Sequence, residues 1–128
     1  MSTGPLVLVV EDNERNLKLA RDLLGVTGFR VVGAETAEAG LILARAERPD
    51  LILMDIQLPG MDGFAALRSL RGDPATAGLR IVAFTASVMK EDVDRIGDAG
   101  FDGYLGKPIS VREFPSQVRA FCQGATGG

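Results

Sequence analysis

The chain has 128 residues, with 14 basic and 17 acidic side chains, a net charge of −3 and no histidine. This length favours a single domain that can bury roughly two thirds of its unfolded surface without help from a disulfide or a metal. The negative charge and the absence of a basic cluster argue against a nucleic-acid domain, and the lack of histidine excludes histidine metal sites and histidine acid–base catalysis.

Two further features bear on the compartment. The single cysteine, Cys122, cannot form an internal disulfide, which favours the cytoplasm. No apolar run reaches membrane-spanning length, and the N-terminus has no basic segment followed by an apolar one. We therefore expect a cytoplasmic protein that has no membrane or nucleic-acid partner.

Short apolar runs alternate with helix-like stretches along the chain. Leu6–Val10 and Leu51–Met54 are continuous runs rich in branched residues, the pattern of strands that are covered on both faces. The fourth predicted helix is weak, because Gly97 lies inside it and Gly100 ends it. The predicted strands span 6–10, 29–34, 51–55, 80–85 and 101–106, and the predicted helices span about 13–25, 37–47, 62–71, 90–99 and 110–123.

The last predicted helix carries the most detailed signals. Ser110 and Glu113 fit a capping box, and Pro115 falls in the first turns, where we expect it to cost one hydrogen bond or a slight bend. The predicted apolar stripe of this helix consists of Val111, Phe114, Val118 and Phe121.

Five successive strand–helix units predict an α/β fold. Right-handed crossovers give a parallel sheet with helices on both faces, and the doubly wound order 2-1-3-4-5 suits this length. We expect residues 1–128 to form one domain with a core at about 5–123 and a flexible tail at 124–128.

Polar side chains follow four of the five predicted strands. Because the carboxyl ends of parallel strands meet at one edge of a sheet, these side chains are expected to lie together. They are Glu11 and Asp12 after the first strand, Asp55 at the end of the third, Thr85 at the end of the fourth and Lys107 after the fifth.

This combination suggests phosphoryl chemistry. Three carboxylates at one edge repel one another, and a divalent cation that prefers oxygen ligands, Mg²⁺ above all, relieves the repulsion. The Lys107 ammonium and the Thr85 hydroxyl suit the oxygens of a phosphoryl group in transfer. Asp55 can itself act as the nucleophile and form an aspartyl phosphate. Each residue alone also fits an ordinary turn, cap or solvated charge, but five at one edge do not.

The sequence resembles a response-regulator receiver domain over essentially its whole length. It is further similar to stand-alone regulators of the DivK type and to the receivers of hybrid kinases. The residues that carry the resemblance are Glu11-Asp12, Asp55 before Leu58-Pro59-Gly60-Met61-Asp62-Gly63, Thr85-Ala86 and Lys107-Pro108.

The resemblance implies a role for each residue of the cluster. Asp55 would accept a phosphoryl group from a histidine on a partner kinase or histidine phosphotransfer protein. Asp12, Asp55 and the backbone carbonyl of Gln57 would bind Mg²⁺, or Mn²⁺ in its place, with help from Glu11.

The resemblance also implies a switch and an output surface. Lys107 would pair with the phosphoryl group, the Lys107–Pro108 peptide bond would be cis, and Thr85 and Tyr104 would form the switch. The face made by the fourth helix, the fifth strand and the fifth helix would bind a downstream protein.

The missing histidine agrees with this interpretation, since the chain cannot be its own phosphohistidine donor. The sequence also ends soon after the fifth helix, so we expect no output domain and a switch that acts by protein contact, rather than a turnover enzyme.

Three other functions compete with this interpretation. A phosphatase of the haloacid-dehalogenase type needs a second acid two positions after the nucleophile, where this chain has Gln57. A binding-only pseudo-receiver normally lacks one of the acids or the lysine, and all are present here. A flavodoxin-like cofactor carrier is disfavoured because the acidic turn Glu11-Asp12-Asn13 would repel an FMN phosphate.

Overall fold

The computed structural model describes residues 4–123, so the predicted tail at 124–128 lies outside the described residues. The strands are β1 (Leu6–Val10), β2 (Arg30–Ala34), β3 (Leu51–Asp55), β4 (Ile81–Thr85) and β5 (Gly103–Gly106). The helices are α1 (Glu14–Val26), α2 (Ala37–Glu47), α3 (Gly63–Arg71), α4 (Lys90–Ala99) and α5 (Phe114–Cys122).

All five strands are parallel and lie in the order β2-β1-β3-β4-β5, which confirms the predicted doubly wound sheet. β3 lies at the centre, and every one of its residues is buried. Since the chain reverses its winding direction between β1 and β3, their carboxyl ends border the crevice in which ligands of such sheets bind.

Side chains alternate between the two faces of the sheet and form two cores. On one face, strand residues such as Leu8 and Ile52 pack with α2, α3 and α4. On the other, strand residues such as Val9 and Leu53 pack with α1 and α5. Both faces are therefore covered, as the unbroken apolar strands predict. Among residues 4–123, no helix has the length and apolar character needed to cross a membrane.

Three strands begin later than predicted: β4 begins at Ile81, one residue late, and β2 and β5 begin late because of one kind of contact. The backbone N–H of Phe29 donates to Leu24 O at 3.0 Å, and that of Phe101 donates to Ile96 O at 3.4 Å. Each N–H therefore closes the end of the preceding helix instead of pairing in the sheet. The two aromatic side chains are nevertheless buried, which is why the sequence pattern counted them as strand residues.

The start of α5 differs from prediction in two ways. The Ser110 hydroxyl accepts the Glu113 N–H at 3.2 Å, but the α-helix begins only at Phe114, and Val111 in the intervening turn is 63% exposed. Its assignment to the apolar stripe was wrong. Pro115 is the second residue of α5, where a backbone N–H has no partner within the helix, so the expected loss of a hydrogen bond was also wrong.

Candidate functional site

Three carboxylates converge at the carboxyl edge of β1 and β3. Glu11, Asp12 and Asp55 each offer an oxygen, and these oxygens all lie within 4.8 Å of one another. The Glu11 residue is 0% exposed and Asp55 is 3% exposed, whereas Asp12 lies on the surface. Two of the acids are thus shielded from water, and the third faces it.

Lys107 bridges the two buried acids. Its ammonium Nζ lies 2.6 Å from Glu11 Oε1 and 2.9 Å from Asp55 Oδ2, and the lysine side chain is 17% exposed. The Lys107 N–H donates to Thr85 O at 2.7 Å, and the Lys107–Pro108 peptide bond is cis. The ammonium is therefore held against both carboxylates from the end of β5.

The pKa values of Glu11 and Lys107 reflect this crowding. Burial raises the pKa of Glu11, and the neighbouring Asp55 raises it further, while Lys107 and the Asn13 N–H act in the opposite direction. Burial alone would lower the pKa of Lys107, but its hydrogen bonds to Glu11 and Asp55 outweigh this effect and raise it. Lys107 is therefore held in its charged form by two acids, one of which is itself reluctant to ionise.

Backbone and amide groups orient the two buried carboxylates. The Gln57 N–H donates to Asp55 Oδ1 at 2.9 Å. The Asn13 N–H donates to Glu11 Oε2 at 3.2 Å, and the Asn16 amide donates to Glu11 Oε1 at 3.3 Å. Sequence reasoning missed Asn16. Its position in the first turn of α1, four residues after Asp12, was the available signal.

The turn after β3 is fixed by the start of α3. A Cβ atom on Gly63 would lie only 2.5 Å from Asp55 O and 2.6 Å from Ile56 Cα, so no larger residue fits there without a backbone shift. Asp62 caps the helix by accepting the Ala65 N–H at 2.8 Å. α3 therefore packs directly against the segment that carries Asp55 and Gln57.

The donor atoms present here fit a small hard cation. Carboxylate and carbonyl oxygens are the ligands that Mg²⁺ prefers, and Mg²⁺ usually keeps several waters beside one or two carboxylates. Asp12 makes no hydrogen bond or ion pair with the other residues in 4–123, so its oxygens are available to such an ion. Asp55 and Glu11 are shared with Lys107, which limits how strongly they can bind a metal.

Thr85 and Tyr104 lie on the neighbouring strands β4 and β5. Thr85 is 3% exposed, and its hydroxyl donates to Ser87 O at 3.0 Å while accepting the Ser87 N–H at 3.1 Å. Tyr104 pairs in register with Ala83, two residues before Thr85, and is half-buried against the core. It lines a cavity of about 160 Å³ between α4 and β5.

A second cavity, of about 290 Å³, opens beside Thr85 between α3 and α4. Its wall includes Gln57 and, from α4, Asp92 and Arg95. The Arg95 guanidinium lies 4.1 Å from the centre of the Phe64 ring. Sequence reasoning missed Asp92 and Arg95, because charges on an exposed helix give no sign of what they face.

The comparison with protein families decides the assignment. The model of the response regulator receiver domain matches residues 7–119. The chain belongs to the response-regulator receiver domains. It is 42% identical over 115 residues to the polar-differentiation response regulator DivK of Brucella anthropi and 41% identical to that of Brucella ovis, covering 90% of this chain and 94% of each relative.

Solved receiver structures have the same fold. The receiver domain of the sensor histidine kinase PA1611 from Pseudomonas aeruginosa is 30% identical with a TM-score of 0.85, covering 95% of this chain and 100% of that one. That structure has a magnesium ion coordinated in the active site cleft. The chemotaxis protein CheY4 of Vibrio cholerae has a TM-score of 0.85 at 23% identity, covering 91% of this chain and 98% of its own, a likeness of fold.

The predicted resemblance is thus confirmed. The chain is a DivK-like receiver domain of two-component signalling, a class of signalling switches rather than turnover enzymes. Its acidic cluster is compatible with a bound Mg²⁺.

Proposed function

We propose that this chain is a cytoplasmic single-domain response regulator in which Asp55 accepts a phosphoryl group from a phosphohistidine. The donor is a histidine kinase or a histidine phosphotransfer protein. The observation that carries the proposal is the bridge from Lys107 Nζ to Asp55 Oδ2 at 2.9 Å and to Glu11 Oε1 at 2.6 Å, beside the exposed Asp12. Nucleophile, countercharge and metal-binding oxygens lie together at the ligand-binding edge of the sheet.

In this proposal Asp55 is the nucleophile. A carboxylate oxygen attacks phosphorus, the P–N bond to the donor imidazole breaks, and the imidazole leaves with the electron pair and takes up a proton. The Gln57 N–H, which donates to Asp55 Oδ1, leaves Oδ2 as the oxygen facing Lys107. When Lys107 turns from Asp55 to the phosphoryl oxygens, it keeps a positive charge close to the developing negative charge.

The metal would be held by Asp12, Asp55 and the backbone carbonyl of Gln57, with Glu11 assisting. Mg²⁺, or Mn²⁺ in its place, would supply a positive charge that lowers the repulsion between Asp55 and an incoming phosphoryl group.

Incubation with acetyl phosphate and Mg²⁺ should add one base-labile phosphoryl group to the intact chain, measured by mass spectrometry. Removing Mg²⁺ with a chelator should prevent the addition, and addition that is unaffected by the chelator would contradict this role.

The first prediction concerns metal affinity. We expect the chain to bind Mg²⁺ with an affinity of order millimolar, because few rigid ligands are present and Lys107 competes for two of the acids. Asp12→Ala should abolish the saturable response in a calorimetric or NMR titration, since it removes the exposed acid. Asp22→Ala, at an exposed position paired with Lys18, is the matched control. An Asp12→Ala variant that still binds Mg²⁺ like the wild type would refute the assignment.

The output is proposed to be the face made by α4, β5 and α5, which would bind a downstream protein. On phosphorylation the Thr85 hydroxyl would donate to a phosphoryl oxygen, and Tyr104 on the neighbouring strand would reorient. α4 is suited to such movement because Ile96 is its only buried residue.

The second prediction tests this switch. Tyr104 is the only tyrosine and the chain has no tryptophan, so ring NMR signals or fluorescence report on it directly. The Tyr104 signal should change when beryllofluoride, a mimic of the phosphoryl group, binds with Mg²⁺. Thr85→Ala should blunt that change. A fixed Tyr104 signal at a demonstrably occupied site would rule out this switch.

A further inference from the structure

A chain of hydrogen bonds joins the Thr85 hydroxyl to the start of α4. The Thr85 hydroxyl exchanges two bonds with the backbone of Ser87, donating to its carbonyl and accepting from its N–H. The Ser87 hydroxyl in turn donates to the Asp92 carboxylate at 2.5 Å. Ser87 thus holds Thr85 with its backbone and α4 with its side chain.

Little else fixes the N-terminus of α4. Its N-cap residue, Met89, makes no side-chain capping bond, and the only buried residue of the helix is Ile96, two turns later. The loop residues Val88 and Met89 are 57% and 63% exposed. The Ser87 hydroxyl also accepts the Met89 N–H at 3.5 Å, so the Ser87 side chain ties the β4–α4 loop, residues 86–89, to the start of the helix.

We propose that Ser87 and Asp92 are positioning residues that hold the β4–α4 loop in its unphosphorylated arrangement and so set how readily the site is occupied. This inference rests on the proposed function of Asp55. A hydroxyl has one proton, so Thr85 can donate to a phosphoryl oxygen only by giving up its bond to the Ser87 carbonyl. Whatever holds Ser87 in place opposes that exchange.

Electrostatic repulsion makes the Ser87–Asp92 contact favour the unphosphorylated arrangement. Asp92 lines the 290 Å³ cavity together with Thr85 and Gln57, and the Gln57 N–H donates to Asp55. A phosphoryl group on Asp55 adds negative charge near this cavity and repels the Asp92 carboxylate. The Ser87–Asp92 contact therefore stabilises the unphosphorylated arrangement more than the phosphorylated one, which is the requirement for shifting a two-state equilibrium.

The test is the affinity for beryllofluoride in the presence of Mg²⁺. Removing the contact raises the fraction of molecules in the binding-competent arrangement, and the apparent Kd falls in proportion. Ser87→Ala should lower the Kd about three- to ten-fold, the effect expected from one typical hydrogen bond. Asp92→Asn should lower it in the same direction.

Matched controls are available on α4 and on α5. Asp94→Asn alters a carboxylate on α4 that pairs with Lys90 in solvent, and Ser116→Ala removes a hydroxyl that donates to Glu113 O. Neither should change the Kd by more than about twofold. In a Thr85→Ala background, Ser87→Ala should also have no effect of its own, because the coupling runs through the Thr85 hydroxyl.

The outcomes distinguish the positioning role of Ser87 and Asp92 from the proposed function of Asp55. A Kd that is unchanged or raised in both Ser87→Ala and Asp92→Asn would overturn the positioning role, since damage to the loop alone would weaken binding. A full Ser87→Ala effect without the Thr85 hydroxyl would overturn it as well. A wild-type chain that binds no beryllofluoride with Mg²⁺ would instead overturn the proposed function itself.

Discussion

Asp55→Asn should abolish phosphoryl uptake from acetyl phosphate while leaving the fold intact. The amide keeps the shape of the side chain, and it retains an oxygen that can accept the Gln57 N–H seen at 2.9 Å. It has lost the negative charge and the nucleophilic oxygen that attacks phosphorus. Intact-mass analysis should therefore show no added phosphoryl group under conditions that modify the wild type fully.

The matched control for this variant is Asp98→Asn, which changes an exposed acid of α4. It should take up phosphate like the wild type. An Asp55→Asn chain that is phosphorylated at the wild-type level would refute the role of Asp55, whereas loss in both variants would point to a general effect of changing the charge.

Lys107→Met should have the second-largest effect on occupancy of the phosphoryl site. It should weaken binding of the phosphoryl mimic more than it weakens binding of Mg²⁺. The variant keeps the nucleophile but loses the charge that lies 2.9 Å from Asp55. We expect the affinity for beryllofluoride to fall about 10- to 100-fold, the loss expected when one hydrogen bond to a charged group is removed. The affinity for Mg²⁺ should be kept or rise, because Lys107 no longer competes for Glu11 and Asp55.

Lys107→Met should also destabilise the metal-free protein, because it leaves two shielded acids facing each other. Breaking such a bridge costs about 1–3 kcal/mol here, less than for a fully buried pair, since Glu11 can take up a proton. Lys90→Met, which removes an exposed pair with Asp94, should change the free energy of unfolding by less than about 1 kcal/mol.

The difference in the free energy of unfolding between the wild type and Lys107→Met should depend on pH, because the pKa values of Glu11 and Lys107 are both raised. A raised pKa of Glu11 means that Glu11 binds a proton more readily in the folded state than in the unfolded state. Falling pH therefore reduces the destabilisation of Lys107→Met, because protonation removes the repulsion between the two acids. A raised pKa of Lys107 means that its stabilising charge is fully present below pH 10.5, the ordinary pKa of lysine. The stabilisation is lost as the pH rises through the higher pKa of the folded state. The wild-type advantage should therefore peak between these two pKa values. Unfolding titrations across the pH range, in the presence of a chelator, measure it directly, and a flat difference would contradict the ion-pair account.

The site could be predicted from sequence because strand direction decides which residues meet. Once five parallel strands are expected, residues at their carboxyl ends, such as Asp55 and Lys107, must lie at one edge. The pattern could not show that Lys107 bridges Asp55 and Glu11, because that depends on the length and path of one flexible side chain. It also could not show the Asn16 amide behind Glu11.

Errors of boundary arose where a residue serves two elements. Phe29 and Phe101 are buried like strand residues, yet their N–H groups close helices. Val111 matches the spacing of the α5 stripe but lies in the turn before the helix begins. Hydrophobic spacing records burial, whereas the element boundary depends on where each backbone N–H finds its acceptor.

Chemical trapping of the phosphorylated residue tests the central claim most directly. Phosphoramidate, whose P–N bond resembles that of phosphohistidine, serves as donor with Mg²⁺, and borohydride then reduces an aspartyl phosphate to homoserine. Peptide mass mapping should find homoserine at position 55 and at no other acidic position of the chain. Homoserine at another aspartate, or phosphate retained on a serine or threonine while Asp55 stays unmodified, would contradict the account.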